Sequence, residues 1–253
     1  MVTLQLDRIG AGYGRHQILT DISSPMIQGG ALTALVGANA AGKSTLFRRI
    51  AGHLRGAGTV SLSGATKDDL RYMPQDTGMS AALTVYESVI LALKQGRGGW
   101  RLSTTELNAV DKALHRFGIA HLAEHQLAEL SGGQRQSVSI AQTLVTQPKV
   151  VLMDEPTSAL DLHRQFEVLE ALKSYAQETG AVLILALHDL NQVMRCCTMT
   201  IAIANGRTLG AGSTLEVLTP TLIRALYGID ARVESCSRGC PMMIVDGPAR
   251  QSA

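Results

Sequence analysis

Residues 2–9 alternate apolar and polar side chains, the pattern of a half-exposed strand. Three later stretches behave differently: residues 31–36, 150–153 and 181–187 are short, nearly unbroken apolar runs. Runs of that length between turn residues read as strands buried on both faces, which is how parallel sheets are packed. Helical spacing takes over at residues 45–51, closed by Gly52, at 84–117 with a break at 95–99, at 131–146 and at 162–177. Gly58, Gly64 and Gly78 punctuate a section of short strands and turns, and residues 199–204 and 207–211 flank Asn205-Gly206, a strong hairpin signal. Strands alternating with helices predict an α/β protein built on a parallel core sheet, with a helical insertion over about residues 76–147. After Gly228 the periodicity fades, and residues from Gly247 onward are expected to be disordered. A single domain over residues 1–230 and a C-terminal tail over 231–253 follow from this reading.

Composition narrows the function classes. The 253 residues carry 23 Lys and Arg against 21 Asp and Glu, a net charge of +2, so no strong global field favours nucleic acid. No apolar run approaches the ~18 residues of a membrane span. The early charge and alternation at the N-terminus are unlike a secretory signal. Together these features predict a soluble chain working on the cytoplasmic side. The four cysteines, Cys196, Cys197, Cys236 and Cys240, lack the paired spacing of a zinc site. They read as free thiols, with a redox or metal role for the Cys236/Cys240 pair as the alternative.

The chemistry concentrates in three places. Gly37, Ala38, Asn39, Ala40, Ala41, Gly42, Lys43, Ser44 and Thr45 match the GxxxxGK[ST] phosphate loop, directly after an apolar run and before a helical one. Such a loop turns backbone N–H groups inward and adds the positive end of a helix. Lys43 then supplies a point charge for the β- and γ-phosphates, and the Ser44 hydroxyl a ligand for Mg²⁺. Asp154 and Glu155 end the apolar run at 150–153, the strand end where open α/β sheets bind ligands. Asp154 is placed in the Mg²⁺ shell, and Glu155 as the base that polarises the attacking water. In Leu130-Ser131-Gly132-Gly133-Gln134, Ser131 is a candidate helix N-cap and the glycines permit close approach of a phosphate or backbone.

This LSGGQ sequence, lying between a phosphate loop and an Asp-Glu strand, resembles the ATP-binding cassette (ABC) transporter ATPase family over about residues 2–228. The resemblance implies a P-loop NTPase core with a mixed, largely parallel sheet, an N-terminal antiparallel β subdomain and a helical subdomain bearing the signature motif. It also assigns roles. Tyr13 matches the aromatic that stacks on adenine, and Gln75 the Q-loop glutamine that contacts Mg²⁺ and couples to the membrane partner. Ser158 to Asp161 matches the D-loop, and His188 the switch histidine that contacts the γ-phosphate. In this family two subunits pair head to tail around two ATPs, so Ser131, Gly132, Gly133 and Gln134 of one would close on the nucleotide held by the other. One phosphate loop and one LSGGQ in a chain without a membrane span imply a homodimer or a pair with a homologue, a separate permease and a peripheral place on the inner face of the cell membrane. A substrate-binding protein outside that membrane is implied indirectly.

Several weak markers resemble the subgroup importing ferric siderophores, haem and cobalamin: His188-Asp-Leu-Asn191, Leu160-Asp-Leu-His-Arg-Gln165, and the segments 216–219 and 226–229. Zinc or manganese importers and exporters are the alternatives, and a non-membrane ABC protein a remoter one. Three departures from the family stand out, one of them the stretch from Cys236 to Cys240, in a tail where the family is variable. Ala40 replaces a common glycine, harmless at negative φ but strained at positive φ. Thr198 replaces a common acid with a capping role.

Overall fold

The computed structural model describes residues 1–75, 82–95 and 101–249. The chain opens with strands β1 (Thr3–Asp7), β2 (Ile9–Tyr13), β3 (His16–Ile22), β4 (Ile27–Gln28) and β5 (Leu32–Val36), then helix α1 (Lys43–Ile50). Strands β6 (Thr59–Ser63) and β7 (Leu70–Met73) precede the helices α2 (Val85–Lys94), α3 (Thr104–Arg116) and α4 (Gly132–Leu144). The pattern β8 (Val150–Asp154), α5 (Leu162–Thr179), β9 (Val182–Ala186), α6 (Leu190–Cys196), β10 (Cys197–Ala204) follows. Last come β11 (Arg207–Ser213), α7 (Thr214–Val217), α8 (Pro220–Tyr227), β12 (Ile229–Ser235) and β13 (Pro241–Pro248). No helix among the described residues is long and apolar enough to cross a membrane.

An eight-stranded sheet in the order β2-β3-β11-β10-β5-β9-β8-β7 forms the centre. Its run from β10 to β7 is parallel, while β10–β11 and β2–β3 pair antiparallel. Pleating sends successive side chains to opposite faces, and both faces are covered. On β8, Val151 and Met153 join the core beneath α2, α3, α4 and α5, while Val150 and Leu152 join Phe47 and Leu46 of α1. On β9, Leu183 and Leu185 take the first face and Val182 and Ile184 the second. Burial on both sides is why these strands look continuously apolar in sequence. Beyond the second face lies a small antiparallel sheet in the order β4-β1-β6. Helix α2 packs against both α3 and α4.

Two expectations need correction. The strand foreseen over residues 2–9 is broken at Arg8, whose φ of 48° turns the chain from β1 into β2. Leu4 and Leu6 thus belong to the small sheet and Ile9 to the large one. The stretch after Gly228 is no structureless tail, since β12 and β13 pair in a hairpin whose last strand includes Gly247 and Pro248. The expectation of disorder fails at those two residues, and 250–253 lie outside the described residues. Gly78 and the break expected at residues 96–99 also lie outside them. Thr198 is exposed at a register shift between β10 and β5, two residues past the end of α6.

Candidate functional site

Between β5 and α1 the chain must reverse within six residues, and Gly42 makes the entry to the helix with φ 101°. A Cβ there would lie 2.6 Å from Leu19 Cδ2, in a backbone region that side chains rarely adopt, so glycine is required. Ala40 has φ 61°, so its methyl sits in the left-handed region at a cost of about 1 kcal/mol. Lys43 is buried, with Nζ donating to the carbonyls of Gly37 (2.7 Å) and Ala38 (3.1 Å). Burial lowers its pKa, and the nearby Glu155 and Asp154 carboxylates pull it partly back.

Asp154 ends β8 in the buried core of the site. Burial raises its pKa, the Ser44 hydroxyl lowers it, Glu155 raises it, and Lys43 and the Tyr72 hydroxyl lower it in turn. Its Oδ2 is fully buried and has no hydrogen-bond partner. A buried carboxylate oxygen left unpaired beside a serine hydroxyl is the donor set of a hard divalent cation, so these residues fit Mg²⁺.

One residue further, Glu155 turns out of the strand with φ 52°. Such a non-glycine conformation costs on the order of 1–3 kcal/mol and persists only where its surroundings hold it. Here the Glu155 N–H donates to Ala186 O (3.2 Å), and its carbonyl accepts from Ser158 Oγ (3.1 Å) and from Gln136 Nε2 of α4 (3.1 Å). The side chain is held as firmly. Gln75 Nε2 donates to Oε2 (2.9 Å), and His188 Nε2 meets Oε1 at 2.5 Å. An ionised carboxylate only accepts, so the tautomer with its proton on Nε2 satisfies this contact. Gln75 follows β7, and His188 follows β9, the neighbours of β8 in the sheet. The parallel register therefore brings all three to one sheet edge. A cavity of about 650 Å³ opens here, lined by Asn39, Ala40, Gly42, Lys43, Ser44, Thr45, Gln75, Glu155 and His188, together with Ile18.

A family model described as "ABC transporter" matches residues 20–158. The chain belongs to the ABC transporter family. Its similarity to the iron(3+)-hydroxamate import ATP-binding protein FhuC of Bacillus subtilis (strain 168) is 35% identity, spanning 92% of this chain and 90% of that one. The hemin import ATP-binding protein HmuV of Bordetella avium (strain 197N) is 34% identical, over 92% of this chain and 94% of its own. Among solved structures, an inward-facing metal-chelate type ABC transporter superposes with a TM-score of 0.85 at 25% identity, covering 97% of this chain and 98% of that one.

As an ABC transporter protein, the chain keeps two groups of motif residues apart. Ser131, Gly132, Gly133, Gln134 and Asp161 line a second cavity of about 430 Å³, separate from the phosphate-loop cavity. Ser131 caps α4 as foreseen: its Oγ accepts from Gln134 N (3.3 Å) and Gln134 Oε1 accepts from Ser131 N (2.8 Å). Asp161 caps α5 through Arg164 N (2.9 Å). Tyr13 ends β2 with an exposed ring and does not line the first cavity; Arg48 Nη1 donates to its hydroxyl (2.9 Å). Gly37, Ala38 and Ala41 shape the loop from behind without lining the cavity.

Three participants escaped the sequence reading. Ile18 is one apolar residue in a strand and carries no motif. Gln136 lies two residues past the signature glutamine, but only the fold brings it to Glu155. Tyr72, next to the Q-loop, reaches Asp154 from β7.

Proposed function

We propose that this chain is the ATP-binding and ATP-hydrolysing subunit of an importer that takes up a metal chelate, of the ferric siderophore, haem or cobalamin class, through a separate membrane permease. The observation carrying the hydrolytic part is the Glu155 carboxylate, fixed by Gln75 and His188 at the mouth of a loop whose lysine is already turned inward. The similarity to import ATP-binding proteins for ferric hydroxamate and hemin supports the substrate class.

In this reading Lys43 exchanges its two loop carbonyls for the β- and γ-phosphate oxygens of ATP, and residues 37–45 donate backbone N–H groups to the phosphate chain. Ser44, Asp154 and Gln75 would hold Mg²⁺, which would supply charge neutralisation for the phosphates. Glu155 accepts hydrogen bonds from the attacking water and aligns it. His188, released from the carboxylate, donates to the γ-phosphate instead. Tyr13 stacks on the adenine after swinging toward the cavity mouth.

The second cavity supports a paired arrangement. Ser131, Gly132, Gly133, Gln134 and Asp161 are assigned to the nucleotide of a second copy, which makes a homodimer the working unit. The cleft beside Gln75, lined by Arg71, Met73, Pro74, Gln95 and Gln142, faces the permease, and the chain sits peripherally on the cytoplasmic side. The permease takes chelate from a binding protein beyond the membrane.

The test is a reconstituted complex of this chain with its permease, assayed for ATP hydrolysis with binding protein carrying ferric siderophore, haem or cobalamin. Stimulation by one loaded binding protein, abolished by Lys43→Ala, is the expected result. Basal hydrolysis that no loaded binding protein stimulates overturns the substrate class, and hydrolysis surviving Lys43→Ala overturns the phosphate-loop assignment.

A further inference from the structure

The C-terminal hairpin brings two cysteines face to face. Ser235 of β12 pairs with Pro241 of β13, so Cys236 and Cys240 are the next opposed positions on the ladder. Cys236 N donates to Cys240 O (2.8 Å), and Gly239 N donates to Cys236 O (2.8 Å). Gly239, at φ 73°, supplies the left-handed residue that closes this three-residue loop, a type I turn with a bulge. Opposed residues of an antiparallel pair have Cα atoms ~4.5–5.5 Å apart, inside the ~4.4–6.8 Å that a disulfide spans. Both thiols are accessible, Cys236 partly and Cys240 fully, whereas Cys196 and Cys197 are buried.

We propose that Cys236 and Cys240 are a reversible dithiol–disulfide site, oxidised by exchange with a low-molecular-mass disulfide. The nucleophile is Cys236. The backbone N–H groups of Arg238 and Cys240 hold its thiol below the ordinary value, while burial holds Cys196 and Cys197 above theirs. Cys236 thiolate attacks one sulfur of the small disulfide and expels the first small thiolate. Cys240 thiolate then attacks Cys236 Sγ in the mixed disulfide and expels the second. The protein loses two electrons and two protons, and one small disulfide becomes two small thiols. No third Cys, His, Asp or Glu joins the pair in a metal-binding group among the described residues, which favours oxidation over metal capture. Exposed bonds closing short loops are the readily reduced ones, so the bond opens again under a thiol reductant.

The test treats the native full-length chain with glutathione disulfide, blocks remaining thiols, and reads the mass of the C-terminal peptide. The expected product is that peptide lighter by two hydrogens, carrying no glutathione and regenerated by dithiothreitol. Cys240→Ser, which cannot complete the second exchange, is expected to stop as a glutathione adduct on Cys236. A wild-type chain that ends as stable glutathione adducts, or that keeps both thiols free, overturns the proposal.

Discussion

Asp154 is the residue whose environment most opposes its charge. Its folded pKa is raised by burial, so the protonated form is favoured in the fold and the associated stability is lost as pH rises through that value. At neutral pH, without metal or nucleotide, the ionised carboxylate therefore weighs against folding. Asp154→Asn is expected to raise the melting temperature of the metal-free protein by roughly 2–4 °C, about 1 kcal/mol. The same substitution should lower hydrolysis by about 100-fold or more. Thermal melts at two pH values check the sign, because the gap should narrow as the medium becomes acidic. Glu155 presents the complementary case, a strained backbone held by neighbours. Gln136→Leu removes the hydrogen bond from α4 to its carbonyl while Ser158 keeps its own. Turnover should fall roughly tenfold with KM for ATP nearly unchanged, and stability by about 1 kcal/mol. A rise in KM instead would mean that Gln136 serves nucleotide binding rather than the carboxylate.

Elements differ in how openly they announce themselves. Strands β5, β8 and β9 were plain in the sequence because both faces are buried, and the phosphate loop because its spacing is dictated by the ligand it must wrap. Helices α4 and α5 begin directly after their capping residues, Ser131 and Asp161, of which Ser131 alone was legible as a cap. The hairpin β12–β13 was not visible. Its residues alternate weakly, with Val233, Met242 and Val245 exposed, so no apolar face marks it. What anchors it is a long-range contact: Asn191 of α6 accepts from Met243 N (2.7 Å) and donates to Met243 O (3.2 Å). Asn191 drew notice only as part of a family marker, and its structural partner is 52 residues away. The left-handed turn at Ala40 was likewise illegible, since an alanine gives no sign of φ. Asn191→Ala should speed hydrogen exchange at the Met243 amide by about tenfold, the loss of two modest hydrogen bonds. Unchanged protection there would mean that α8 and the cross-strand ladder hold the hairpin without α6.

For the whole molecule, the decisive arrangement is the separation of the two cavities. Motif residues that the proposed pair of copies would bring together lie in separate cavities of one chain. Glu155→Gln is expected to bind ATP, hydrolyse it about 100-fold or more slowly, and accumulate as a dimer. Light scattering with and without ATP reads this directly. A monomer under saturating ATP would mean that the second cavity serves something other than a partner's nucleotide. Fold class could be read from the chain, and the phosphate-loop residues, Gln75, Glu155 and His188 that share one cavity were singled out there because their spacing follows a motif. The links from α4 to Glu155 and from α6 to the hairpin join segments distant in sequence, and only tertiary packing reveals them.

The Lys43 ammonium has a consequence for chemical footprinting. Its Nζ is turned away from solvent and engaged by two carbonyl oxygens of its own loop. Amine-directed acylating reagents would find it shielded by that backbone, much as they would beneath a bound phosphate chain. Protection of this lysine therefore carries no information about occupancy, and labels on the exposed Asn39–Ala40 turn or on Tyr13 would have to serve as reporters.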